Sequence, residues 1–239
     1  MLPIRDHNPS RRFPFVTYGL IAVNVLIFLS HQGFTARETA IFYNTWGMVP
    51  VEITSGIDLH TLFTSIFIHG GWMHLSGNML YLWIFGDNME DAWGHGPFFA
   101  FYVGCGVLAS AAQIAWNPAS PVPNIGASGA IAGVLGGYLL MFPAARVDVL
   151  FFIRIFTIPA WIALGLWLGM QFFNGLTVDA YGGSVAYWAH AGGFVAGTII
   201  CIPLWLKRGA FAFWRRTHGH PPHPEIQYSR TRIPRVRKQ

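Results

Sequence analysis

Six stretches of this chain carry no Asp, Glu, Lys or Arg: residues 13–30, 61–86, 97–116, 125–142, 155–173 and 180–206. A helix crosses a bilayer with roughly 20 mostly apolar residues, so each stretch is a candidate span. Composition agrees. The chain is 53% hydrophobic and only 10% charged, whereas a soluble domain carries about 25% charged residues. Nine of the 15 Lys and Arg fall in residues 207–239, which leaves the preceding body almost without positive charge. The expected architecture is an all-α membrane protein of six transmembrane helices.

Charge near the span ends sets the orientation. Arg5, Arg11 and Arg12 flank the first span, and Lys207, Arg208, Arg215 and Arg216 follow the last. Six spans put both termini on one side, expected to be cytoplasmic together with the loop that holds Arg146. The loops after the third and fifth spans lack Lys and Arg and are assigned outside. No cleavage pattern follows the polar N-terminus, so the first span is expected to be retained. The division is then a cytoplasmic segment 1–12, a six-span body 13–206 and a basic tail 207–239. The Pro-, His- and Arg-rich composition of the tail predicts disorder beside anionic lipid. Only its charge would argue for nucleic acid, and no nucleic-acid partner is expected. Residues 31–60 hold Trp46, Met48, Val49, Ile53 and Ile57 among few charges, and are expected to form a partly helical element in the membrane interface. Gly70 and Gly71 weaken a helix start and allow the second span to begin late. Cys105 and Cys201 lie inside apolar runs, with neither a disulfide framework nor metal spacing.

Polar groups inside a span are costly and are functional hypotheses by default. Here they share a depth. His69, His74 and Asn78 lie in the second span, Ser128 near the start of the fourth, and His190 in the sixth. The topology puts all five in the outer half of the membrane. His74 and Asn78 are four apart and share a helix face. His190, Gly193 and Gly197 form one stripe, and Gly193 with Gly197 makes a G-x-x-x-G motif that permits close backbone approach. Span four offers a matching small surface through Gly126, Gly129, Ala132, Gly133, Gly136 and Gly137. Packing of these surfaces would bring Ser128 within reach of an imidazole base, which is how a serine nucleophile is activated.

Taken singly, each residue has a plainer reading. A serine among small residues usually packs helices, and an intramembrane His or Asn often bonds one helix to another. No metal is expected, because the H-x-x-x-x-H spacing of His69 and His74 turns the rings about 140° apart on a helix. Nor is Ser128 the nucleophile elbow of a soluble hydrolase, since the final glycine of G-x-S-x-G is replaced by Ala130.

Three motifs in chain order resemble the rhomboid intramembrane serine proteases: HGGWMHLSGN on the second span, GASG on the fourth and AHAGGFVAG on the sixth. The resemblance covers residues 13–206 and leaves out the tail. It implies a rhomboid-like bundle with Ser128 as nucleophile and His190 as general base and then general acid. It makes His74, Asn78 and the backbone N–H of Ser128 the oxyanion donors. His69 becomes structural, Gly126 leaves room beside the nucleophile, and Gly129, Gly193 and Gly197 hold the helices close. The implied substrates are transmembrane proteins, cut in or near the membrane, with no cofactor. Two departures stand out. Leu59 and His60 occupy the place of a Trp-Arg pair found in many rhomboids, and Ala132 replaces an aromatic residue that stacks on the histidine. A bacterial inner membrane is expected by elimination. The rival classes are an inactive rhomboid-like binding or chaperone protein and a small transporter. The sequence carries no signal of oligomeric state.

Overall fold

A computed structural model of the chain describes residues 2–177 and 185–226. The start of the sixth expected span and residues 227–239 of the tail lie outside the described residues.

The fold is mostly helical, with one main helix in each charge-free stretch: α1 (Phe15–Ser30), α5 (Trp72–Trp93), α6 (His95–Trp116), α7 (Ser128–Met141), α8 (Ala160–Thr177) and α9 (Tyr187–Lys207). Two of them, His95–Trp116 and Tyr187–Lys207, are long and apolar enough to cross a membrane by length and composition. Phe15–Ser30 and Ser128–Met141 are shorter apolar helices. The connection between α1 and α5 is itself largely helical, through α2 (Ala36–Trp46), α3 (Pro50–Thr54), α4 (Thr61–Thr64) and a 3-10 turn at Ser65–Phe67. Thr35 opens α2 with a reciprocal capping box to Glu38.

Helix boundaries follow local chemistry. α5 starts at Trp72, not at residue 61, because Gly71 holds an extended backbone that interrupts the helix. It runs past Gly86 to Trp93 and stops at Gly94, which has φ +82°. The acids of its last turns have structural partners. Glu90, 1% exposed, accepts the backbone N–H groups of Val16 and Thr17 at 2.9 and 2.8 Å and the Thr17 hydroxyl at 2.7 Å. It thereby caps α1, which has no side-chain cap of its own.

At the centre stands α7. All of Gly129–Tyr138 is buried, and the helix packs against α5, α6, α8 and, most extensively, α9. The α7–α9 contact is backbone on backbone. A Cβ on Gly193 would collide with the Gly129 carbonyl, one on Gly197 with the Gly133 carbonyl, and one on Gly136 with the Phe194 carbonyl. Side chains at these positions would push the helices apart, so the small residues set the interhelical distance.

The all-α expectation is corrected by a three-stranded antiparallel sheet, β1 (Leu2–Asp6), β2 (Arg146–Phe151) and β3 (Arg154–Pro159), in the order β1-β2-β3. Residues 155–159, expected to begin the fifth span, belong instead to β3, rich in the β-branched residues that suit a strand. The sheet also takes in residues 2–6 of the N-terminal segment. Asp148, 2% exposed, holds the strands together by accepting from Arg5 Nε and Thr157 Oγ1, each at 2.6 Å, and from His7 at 3.0 Å.

The tail expectation is corrected over its first part. α10 (Phe211–Thr217) buries Phe213. Trp214 donates its indole N–H to the Leu140 carbonyl at 3.0 Å, and its ring lies 5.0 Å from that of Trp205. Beyond it the Gly219 carbonyl accepts from Ala144 at 2.9 Å, and Ile226 N–H donates to His7 at 3.0 Å. The apolar FAFW cluster at residues 211–214 supplies the burial that the basic composition obscured.

Candidate active site

Ser128 is the first residue of α7, so its backbone N–H belongs to the unsatisfied donors at a helix N-terminus. The segment leading to it is braced from the loop side. Met48 and Asn124 exchange backbone hydrogen bonds at 3.0 and 2.8 Å, and Gly126 N–H donates to the Ser65 carbonyl at 2.9 Å.

The glycine register of α7 and α9 brings His190 to the serine, with Nε2 2.7 Å from Ser128 Oγ. His190 is fixed on its other side as well. Its Nδ1 lies 2.8 Å from the Oε1 of Gln171 on α8. Two aromatic rings flank it: Trp167 at 5.9 Å between centroids, tilted 35°, and Tyr187 at 6.4 Å, nearly edge-on. The aromatic neighbour missing at Ala132 is thus replaced from α8 and from the first turn of α9. The N-terminus of α9 is tethered too, since Ala189 N–H donates to Gln113 Oε1 at 3.2 Å.

Across from the dyad, α5 presents His74 and Asn78. His74 Nδ1 accepts a long hydrogen bond, 3.4 Å, from Gly70 N–H. In a neutral ring this leaves the proton on Nε2. That Nε2 faces Gly126, where an added Cβ would stand only 2.7 Å from it and 3.7 Å from Asn78 Nδ2. Gly126 has φ +126°, a backbone conformation open to glycine, so both its freedom and its lack of a side chain are used. Asn78 is buried and its Nδ2 has no hydrogen-bond partner among the described residues, a donor of the kind that points to an acceptor from outside the chain. His69 is fully buried with its ring 5.1 Å from that of His74, and supports it from behind.

These groups line a cavity of about 530 Å³ that includes Met73, His74, Asn78, Tyr81, Ser128, Trp167 and His190. A larger groove, about 690 Å³, lies between α1 and the α2–α4 region, and among the described residues none of its lining is titratable. Among the described residues no three His, Cys, Asp or Glu side chains come together to hold a metal ion. A serine hydroxyl bonded to an imidazole, with donors converging nearby, is the equipment for acyl transfer. Of the sequence-predicted site residues, His69, His74, Asn78, Gly126, Ser128, Gly129 and His190 come together here, whereas Gly193 and Gly197 lie further along α9, against Gly129 and Gly133. Gln171, Trp167, Tyr187 and Gln113 were not anticipated, although both glutamines are amides inside charge-free stretches.

Residues 57–207 match the model of the Rhomboid domain. The chain belongs to the rhomboid family. It is 31% identical over 192 residues to Rhomboid protein 1, mitochondrial, of Saccharomyces cerevisiae, covering 77% of this chain and 51% of that protein. It is 32% identical over 203 residues to Rhomboid protease GluP of Bacillus subtilis, covering 83% of this chain and 36% of the relative. The human Presenilin-associated rhomboid-like protein, mitochondrial, is 28% identical over 213 residues, covering 84% and 48%. The chain therefore spans about half or less of the length of these curated relatives. Family membership makes the chain an integral membrane protein, and the Bacillus subtilis relative is named a protease. The relatives divide between mitochondrial and bacterial proteins and do not favour the expected bacterial inner membrane.

Proposed function

We propose that this rhomboid is an intramembrane serine endopeptidase that cuts transmembrane proteins in or near their membrane segment. The observation that carries the reading is the 2.7 Å contact between Ser128 Oγ and His190 Nε2 beside the unpartnered Asn78 donor. In the proposed reaction His190 Nε2 takes the hydroxyl proton while Ser128 Oγ attacks the scissile carbonyl. The developing oxyanion accepts from Asn78 Nδ2, His74 Nε2–H and the backbone N–H of Ser128. Such preorganised donors contribute about 3–4 kcal/mol each to the transition state. His190 then gives its proton to the leaving amine, and water resolves the acyl-enzyme by the same route in reverse.

The bundle is proposed to have six spans with both termini on the cytoplasmic side. Two features support an even count. Residues 2–6 pair with residues 147–150, and residue 226 bonds to residue 7, so both ends of the described chain and the α7–α8 connection share one face. The central helix supports a recessed site. Fourteen residues make α7, about 21 Å at 1.5 Å per residue, shorter than a hydrocarbon core of about 30 Å. A helix of this length, anchored at one face, starts below the other and puts Ser128 within the membrane's depth. The cavity is the proposed route for water.

The test is labelling with a fluorophosphonate in detergent, with Ser128→Ala as control. Labelling lost in the variant supports the reading. A wild-type protein that neither labels at Ser128 nor cleaves a transmembrane substrate overturns it in favour of an inactive rhomboid.

A further inference from the structure

We infer that Gln171 is a positioning residue for His190, whose side-chain carbonyl selects the imidazole tautomer that can take a proton from Ser128. The inference rests on the protease reading for its consequence, and on hydrogen-bond geometry for its substance.

The amide of Gln171 has both ends committed. Its Nε2 donates to the Trp167 carbonyl, one turn earlier on α8, at 3.2 Å. Its Oε1 faces His190 Nδ1 at 2.8 Å. Turning the amide over would set Oε1 against the Trp167 carbonyl, two acceptors with no proton between them. The network therefore fixes which atom meets the ring. A carbonyl oxygen only accepts, so Nδ1 must carry a proton. In the neutral ring Nε2 is then bare, and its lone pair points at Ser128 Oγ, 2.7 Å away. The opposite tautomer would face two lone pairs at Gln171 and spend the Nε2 proton on the serine oxygen, which leaves no base.

The same bond survives catalysis. When His190 takes the serine proton, Nδ1–H stays donated to Gln171, so the ring does not turn between the two halves of the reaction. Among the described residues no carboxylate lines the cavity, and Gln171 orients the ring without adding countercharge of its own. The Trp167 ring lies 5.9 Å from that of His190, tilted 35°, close enough for an aromatic ring to attract the imidazolium. Trp167 and Gln171, four apart on α8, thus both reach one imidazole. At 8% exposure Gln171 is held by packing as well as by its hydrogen bonds.

The experiment pairs a spectroscopic with a kinetic readout. Histidine NMR of the isotope-labelled full chain in detergent, with the His190 signals identified by their loss in His190→Ala, should show the Nδ1–H tautomer. Gln171→Met keeps the length of the side chain and removes the acceptor. It should shift His190 toward the Nε2–H tautomer and lower kcat about 10- to 100-fold, with KM within about twofold. An Nε2–H tautomer in the wild type, or Gln171→Met cutting at the wild-type rate, overturns the inference. The wild-type spectrum decides even where the variant folds poorly. Wild-type protein that shows the Nδ1–H tautomer but does not label at Ser128 would sink the protease reading and leave the positioning bond standing.

Discussion

Gly197 of α9 sits directly on Gly133 of α7, and a Cβ added to Gly197 would fall onto the Gly133 carbonyl group and Cα. The contact lies one turn below Gly193 on Gly129 and two turns below His190. It sets the spacing of the two helices that carry Ser128 and His190.

Gly197→Val should therefore separate the dyad without altering either reacting group. Overpacking of this kind typically costs about 1–3 kcal/mol, and a misplacement near 1 Å costs about a hundredfold in rate. Activity should fall further than stability. Thermal unfolding measured beside cleavage of a transmembrane substrate checks this. A variant that folds and cuts normally would show that the α7–α9 contact does not set the dyad.

Asn78→Ala should lower kcat about 100-fold with little change in KM. An oxyanion donor acts mainly in the transition state, and Asn78 Nδ2 has no other partner to lose among the described residues. Steady-state kinetics separate the outcomes: an effect confined to KM would move Asn78 from catalysis to substrate binding.

At Gly126 the methyl group of an alanine would meet His74 Nε2 at 2.7 Å, on a backbone of φ +126°. Gly126→Ala should displace the imidazole and lower activity at least tenfold, with about 1–3 kcal/mol of backbone strain. Activity within about twofold of wild type would mean that His74 tolerates displacement and gives no catalytic hydrogen bond.

The sheet gives a pH prediction. Burial works against the charge of Asp148, but hydrogen bonds from Thr157, His7 and Arg5 outweigh it and hold the carboxyl below its usual range. A depressed carboxyl contributes stability above the unfolded value of about 3.9 and loses it as pH falls through the folded value. Asp6 runs the other way, because burial and the nearby Asp87 push its carboxyl up. Its contribution shrinks as pH rises out of the ordinary carboxylate range. Comparing wild type with Asp148→Asn isolates the first effect. The variant should be about 1–3 kcal/mol less stable at neutral pH, and the gap should close below about pH 4. A gap that is constant across this range would assign Asp148 a purely steric role.

Sequence and structure meet best where a residue breaks the rule of its surroundings. His74, Asn78, Ser128 and His190 are polar groups in lipid-like stretches, and the glycine stripes have a helical period, so both site and packing could be read from spacing on single helices. Gln171 passes the same polarity test, but its partner is another side chain on another helix, and that pairing leaves no spacing on α8 itself. The sheet escaped for a similar reason. β2 pairs with residues 2–6, far away in sequence, and the charge-free rule counts residue types without distinguishing the strand at Arg154–Pro159 from the helix that follows it.

The pairing of Leu2 with Leu150 also bears on how the molecule is made. A chain leaves the ribosome from its beginning, so β1 emerges long before the strand that completes it. Until residue 150 is translated, the strand edge of Leu2–Asp6 has no β2 to bond, and α1, α5, α6 and α7 must already be synthesised. Sheet closure therefore follows the synthesis of α7 and needs neither α8 nor α9. It joins residues 2–6 to the connection after α7 before His190 has been made.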